Sequence, residues 1–179
     1  MNQDRIAHAD VAHRQDEHVE QPRIPFRPPS LLARAVEIPV ALAYLAVGAP
    51  VMILLAALIR LDSPGPALFF QRRLGAGGRT FRFVKFRTFY VDSKSRFPEL
   101  FAYQYDEAQI QHLKFKILDD PRATRVGRWL RKTSLDELPN FWNVLTGDMA
   151  LVGPRPEIPE MLRYYHGEMR LKFSVRPGG

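Results

Sequence analysis

Two adjacent carboxylates, Asp136 and Glu137, follow five cations (Arg122, Arg125, Arg128, Arg131 and Lys132) and precede Arg155, which stands between Pro154 and Pro156. Each residue type suits one part of phosphoryl chemistry. One carboxylate can ligate a hard ion such as Mg2+, which takes oxygen ligands and shares them with substrate phosphates. Its neighbour can act as a nucleophile or base. A single Arg between two proline rings lies on backbone of restricted conformation, a sound way to hold a guanidinium against phosphate. Asp-Glu pairs are common on protein surfaces, so the pair does not specify a reaction by itself.

The surrounding residues predict where the pair sits. Ser134-Leu135-Asp136-Glu137 has the spacing of a capping box, with Ser134 as N-cap and Glu137 as its N3 partner. Pro139 tells against a clean one, because it removes a donor and disfavours helix at Leu138. The helix is therefore expected to begin near Pro139 or to be distorted there. That puts Asp136 and Glu137 at or just before a helix N-terminus, a position that favours ionised carboxylates and attracts phosphate. A second pair of cations comes from a predicted β-hairpin, with Ala67 to Leu74 as one arm, Gly75 to Gly78 as the turn and Arg79 to Thr88 as the other. The period of two puts Phe81, Phe83, Lys85 and Arg87 on one face. Lys85 and Arg87 would project side by side, to clamp a phosphate or to be solvated.

With 179 residues, the chain is about one domain. Its net charge of +7 favours anionic partners: nucleic acid, anionic lipid or phosphorylated small molecules. The absence of cysteine excludes disulfides and thiolate metal sites. Residues 1–30 read as a disordered polar tail running into a Pro-rich linker; His8, His13 and His18 recur every five residues, on no single helix face. From Ile38 to Ile59 there is no charge, a stretch long enough to cross a bilayer as a helix. Gly48-Ala49-Pro50 lies near its centre, where Pro50 kinks or breaks the helix. Both flanks are basic, with Arg23, Arg27 and Arg34 before and Arg60, Arg72 and Arg73 after. By the positive-inside rule both ends belong on the cytoplasmic side, as in a hairpin that dips into one leaflet; a kinked span is the alternative. Further helices are expected at 97–117, 124–132, 138–146 and 157–171. In the last, Met161, Leu162, Tyr165 and Met169 form an apolar face. The fold class is mainly α, mixed α+β: a membrane helix over 31–61 and a small cytosolic domain of helices with one hairpin over 62–179.

Several segments together resemble the bacterial sugar transferase family, the small monotopic phosphoglycosyl transferases. They are Asp62-Ser63-Pro64-Gly65-Pro66, Phe69-Phe70-Gln71-Arg72, Lys85-Phe86-Arg87-Thr88, Asp120-Pro121-Arg122, Thr124-Arg125-Val126-Gly127, Thr133 through Pro139, Trp142-Asn143-Val144, Gly147-Asp148-Met149 and Leu151 through Pro156. They cover about residues 31–179.

The resemblance implies a catalytic domain on the cytoplasmic face of the bacterial inner membrane, anchored by a re-entrant helix broken at a proline, to which Pro50 corresponds. It implies transfer of a sugar-1-phosphate from a UDP-sugar to undecaprenyl (polyprenyl) phosphate, initiating exopolysaccharide or another surface glycan. By motif, Asp136 is the nucleophile that forms a phosphosugar-aspartyl intermediate, Glu137 the Mg2+ ligand, and Arg155 a phosphate binder; Lys85 and Arg87 support the site. Two departures are noted. The chain stops at Arg176-Pro177-Gly178-Gly179, where the family usually continues, so a truncated catalytic domain is expected. Phe89 replaces a common Met, a packing change. The alternative is an inactive truncated relative acting as a membrane-docked binding protein. No nucleic-acid partner is expected, because the basic helix lacks a helix-turn-helix context or interleaved aromatics.

Overall fold

The structure is a computed structural model and describes residues 24–101 and 120–178. The tail expected over 1–30 falls mostly outside these residues, as does most of the helix expected at 97–117, of which Pro98–Phe101 forms a 3-10 turn.

Helix α1 (Leu31–Asp62) is the longest element. Ser30 opens it as N-cap, its Oγ accepting from the Ala33 amide at 3.1 Å. Ser63 ends it in extended conformation, as a residue before proline prefers. Among the described residues it is the one helix long and apolar enough to cross a membrane. The break expected at Pro50 is not seen as an end to the helix. Helical structure continues through both Pro39 and Pro50; each ring removes one backbone donor, and the turns on either side carry on. Much of the helix surface is bare: Leu31, Val47, Ile53, Leu54 and Leu61 are all exposed, an apolar surface of the kind that marks a membrane or partner contact.

A narrow stripe of α1 instead faces the rest of the protein, and both ends of the helix are fastened to it. Near the start, Arg34 donates to the carbonyls of Val144 at 2.8 Å and Leu145 at 2.9 Å. Glu37, buried, pairs with Arg34 at 3.1 Å and with Arg176 at 2.8 Å. Ala41 packs with Phe83, Val144 and Met149. Near the other end, Leu55 and Ile59 pack with Phe86 and Leu130, and the Asp62 carboxylate accepts from the Val126 amide at 3.0 Å.

The hairpin forms as expected. Strands β1 (Leu68–Leu74) and β2 (Thr80–Phe86) pair antiparallel, with Phe69 opposite Lys85 and Arg73 opposite Phe81. Gly77 and Gly78, both at positive φ, make the turn. The outer edge of β2 is closed by one side chain. Asn143 accepts from the Val84 amide at 3.1 Å and donates to the Arg82 carbonyl at 2.9 Å, so a buried amide completes a strand edge that would otherwise be left unpaired.

Helix α2 (Ser93–Arg96) is a single turn. Helix α3 (Arg125–Thr133) matches the basic helix expected at 124–132, with Thr124 as N-cap and Leu130 buried. It crosses β2's continuation so closely that a Cβ on Gly127 would overlap the Thr88 carbonyl. The segment expected as a helix over 138–146 divides into a 3-10 turn, Leu135–Asn140, and helix α4 (Phe141–Thr146). Helix 157–171 is corrected. Two 3-10 segments, Pro159–Tyr164 and Gly167–Ser174, replace it. Extended Tyr165 and His166 separate them, and left-handed Gly167 (φ 52°) opens the second, so the apolar face is interrupted: Met161 and Leu162 are buried, while Met169 is exposed.

Candidate active site

Asp136 and Glu137 lie on the 3-10 turn Leu135–Asn140, and the fold fixes that turn from both ends. Upstream, Ser134 adopts the left-handed conformation (φ 59°), the only non-glycine among the described residues to do so. It ends α3 and redirects the chain. As expected from Pro139, no clean capping box forms: a left-handed Ser134 gives no side-chain cap to this turn, and a backbone bond from the Glu137 amide to the Ser134 carbonyl, 3.2 Å, takes its place. Downstream, Pro139 and Asn140 are buried and lead directly into α4.

The neighbouring carboxylates face different surroundings. Asp136 is 4% exposed. Glu137 is more open, its Oε1 accepting from Arg155 Nη2 at 3.0 Å. The predicted trio Asp136, Glu137 and Arg155 is therefore brought together, with Arg155 itself largely exposed at the mouth of the site.

Lys85 arrives from β2. Burial pushes its ammonium down to about 8; among the charges acting on it, Asp136 is the strongest and resists that fall, Arg73 and Arg131 reinforce it, and Glu137 resists it. Arg87, two residues on, is not brought to the carboxylates. It is buried, and its guanidinium donates to the carbonyls of Ile59, Ser63 and Pro64. This arrangement fastens the end of α1 to the hairpin.

Three residues join the site that the sequence did not single out for it. Arg73 lies beside Glu137, Asn140 and Arg155 in the wall of a polar cavity of about 150 Å3, donating to the Pro156 carbonyl at 3.2 Å. The hairpin register carried the signal, since it puts Arg73 on the same face as Lys85. Arg131 approaches Asp136 from α3 and is steadied by the buried Asp120 carboxylate at 3.7 Å. Burial by itself would raise the Asp120 carboxyl, but hydrogen bonds from Arg122 and the charges of Arg122 and Arg131 hold it below the usual carboxylate range. Asn140 lines the cavity, and its buried Oδ1 has no hydrogen-bond donor. An acceptor in that state costs stability until a donor or cation meets it.

Asn140 and Glu137, which line the same cavity, test whether a hard cation suits these residues. Both are oxygen ligands of the type Mg2+ takes, and among the described residues there is no cluster of three or more His, Cys, Asp or Glu. A Mg2+ ion held by one or two protein oxygens and completed by substrate phosphates and water fits that donor set. Chemically, the arrangement offers a buried carboxylate with Lys85 and Arg131 acting on it, and a more exposed one that shares a small polar space with Arg73, Arg155 and Asn140. That is equipment for attack on a phosphate ester whose charge is neutralised from several sides.

A model of the bacterial sugar transferase family matches residues 29–178. A galactosyl transferase, CpsE, from Streptococcus agalactiae serotype III is 45% identical over 128 residues, 72% of this chain and 27% of that protein. An undecaprenyl-phosphate galactose phosphotransferase of Salmonella typhimurium is 39% identical over 147 residues, 82% of this chain and 31% of that protein. A UDP-glucose:undecaprenyl-phosphate glucose-1-phosphate transferase of Caulobacter vibrioides is 41% identical over 151 residues, 83% of this chain and 51% of that protein. The chain thus spans between about a quarter and a half of the length of these curated relatives.

Proposed function

The chain belongs to the bacterial sugar transferase family, and from that premise we propose that it transfers a sugar-1-phosphate from a UDP-sugar to undecaprenyl phosphate. The observation that carries this reading is the pairing of Asp136 and Glu137 inside a ring of cations, Lys85, Arg73, Arg131 and Arg155, beside an apolar helix.

In the first half-reaction an Asp136 carboxylate oxygen attacks the β-phosphorus of the donor. The bond from that phosphorus to the bridging oxygen breaks, and UMP leaves with the electron pair. Asp136 then carries the phosphosugar as a mixed anhydride. In the second half-reaction a phosphate oxygen of the acceptor attacks the same phosphorus, the Asp136 carboxylate is released, and the product is a polyprenyl diphosphate sugar. Arg155, Arg73 and Lys85 bind the diphosphate oxygens, and Arg131 orients Asp136 from behind. Glu137 and Asn140 Oδ1 would hold Mg2+. When bound, that ion supplies neutralising charge so that an anionic nucleophile can approach a dianionic donor.

The anchor follows the same reading. Arg34 and Glu37 near one end of α1 and Ile59 and Asp62 near the other are tied to one catalytic domain. This supports a re-entrant helix with both ends on the cytoplasmic face of the inner membrane, its helical structure continuing through Pro50. The product would initiate an exopolysaccharide or another surface glycan.

The test is UMP release by the chain in lipid nanodiscs, with Mg2+ and a panel of UDP-glucose, UDP-galactose and their N-acetylamino counterparts, with and without undecaprenyl phosphate. A stoichiometric burst of UMP without acceptor is expected, with a matching mass increase on the protein. Both should be absent in Asp136→Asn. UMP formation that waits for the acceptor would refute the covalent intermediate.

A further inference from the structure

Next to the polar cavity lies a second one of a different character. It holds about 230 Å3 and is walled by Tyr44, Leu138, Phe141, Val144 and Leu151. Glu137 and Asn140 line both cavities, so the two spaces adjoin at these residues. One wall belongs to α1. Tyr44 stacks on Phe141 of α4 with ring centroids 3.6 Å apart and planes 13° from parallel.

We propose that this apolar cavity holds the first isoprenoid units of the acceptor and presents its phosphate to Asp136 past Glu137 and Asn140. The inference rests on the function proposed above and assigns residues to its second substrate. Three observations choose the occupant. Five of the eight lining residues are aliphatic or aromatic, beside Ser134, Glu137 and Asn140, which suits a hydrocarbon chain ending in a phosphate better than a nucleotide or a sugar. The volume exceeds the roughly 150 Å3 apolar cavity that takes one benzene, so one or two five-carbon units fit. Tyr44 continues into the exposed apolar surface of α1 at Val47, so a chain lying along that surface enters without exposing hydrocarbon to water. At the shared rim, Arg155, 3.0 Å from Glu137, offers a cation to the acceptor phosphate.

This arrangement accounts for how one small site handles two substrates in turn. The donor occupies the polar side and UMP departs from it. The acceptor phosphate then takes the place UMP has left, in line with Asp136 and within reach of Arg155, while its hydrocarbon lies in the apolar cavity, so only the phosphate positions are shared. The Tyr44–Phe141 stack couples the compartment to the anchor, because a shift of α1 relative to α4 changes its width.

Leu151→Trp, which fills the cavity, tests the proposal together with Tyr44→Ala, which removes the wall on α1. Each variant is assayed in nanodiscs for the acceptor-free UMP burst and for the KM of undecaprenyl phosphate. A photoreactive polyprenyl phosphate with a diazirine in its first isoprene unit is cross-linked in parallel to the unchanged chain and located by mass spectrometry. The expected result is a burst of normal amplitude, an acceptor KM raised at least tenfold in Leu151→Trp, and cross-links at Tyr44, Leu138, Phe141 or Leu151. Acceptor KM values within twofold of the unchanged chain, or cross-links confined to outward residues such as Val47 and Ile53, would overturn the assignment. A chain that cross-links within the cavity but yields no UMP from any donor would instead refute the proposed function and leave the lipid phosphate site standing.

Discussion

Arg155 reaches back to Glu137 across 3.0 Å, placing the one cation between two prolines on the more open member of the carboxylate pair. Asp136, next to Glu137 in sequence, is almost fully buried. A guanidinium that is largely exposed and pairs with a single carboxylate oxygen is positioned to exchange that partner for phosphate. Removing it should cost transition-state stabilisation. Arg155→Ala is expected to lower kcat/KM for the donor about 100-fold, in line with loss of one oriented electrostatic group. Arg155→Lys should recover part of that, since it keeps the charge but not the planar fork. A steady-state UMP assay reads both, and a near-normal Arg155→Ala would remove Arg155 from the site.

Lys85 sets an alkaline limit. Its ammonium, lowered by burial from 10.5 to about 8, loses its charge as pH rises through that value, so donor kcat/KM should fall above pH 8 by roughly tenfold per unit. Lys85→Arg should remain active to higher pH. The stability effect has the opposite sign. Between about 8 and 10.5 the folded protein has released this proton while the unfolded chain still holds it, so the Lys85 contribution to stability increases with pH over that window. Parallel rate and melting profiles from pH 7 to 10.5 would separate the two, and a flat rate profile would refute the role of the ammonium.

Asn143 closes the open edge of β2 with two hydrogen bonds, to Val84 and Arg82. Asn143→Ala leaves one buried backbone donor and one acceptor unmet, a loss of about 2–4 kcal/mol. For a chain of this size that lowers the melting temperature by roughly 4–16 °C. Thermal unfolding in nanodiscs measures it; an unchanged melting temperature would mean that water replaces the side chain.

The chain contains no cysteine, so a single introduced thiol is unique. Leu31→Cys and Leu61→Cys place one at each exposed end of α1. In inverted and right-side-out vesicles, a membrane-impermeant maleimide should label both from the cytoplasmic side only. Labelling of the two from opposite sides would establish a spanning helix.

Much of the site was legible because its residues lie close together in sequence. Asp136, Glu137 and Arg155 could be read from type and spacing, and the hairpin from its glycines and period of two. Where the reading failed, non-local packing decided the outcome. Arg87 has the spacing to share a strand face with Lys85, yet β2 ends at Phe86 and the carbonyls of Ile59, Ser63 and Pro64 claim its guanidinium. Arg73 looked like a flanking charge until strand register placed it opposite Phe81. Pro139 argues against a clean capping box at Ser134, but nothing in the sequence signals the left-handed turn that ends α3. The apolar pattern at 157–171 has helical spacing, but Gly167 interrupts it and the pieces pack separately.

The ion pair between Glu37 and Arg176 joins residues 139 positions apart, and Gly178 donates to the Pro154 carbonyl on the segment that carries Arg155. During synthesis the helix at 31–62 emerges long before either contact can form. The helix therefore forms before the contact that ties it to Arg176, and the segment bearing Arg155 gains its backbone support only once residues 176–178 are available to fold against it.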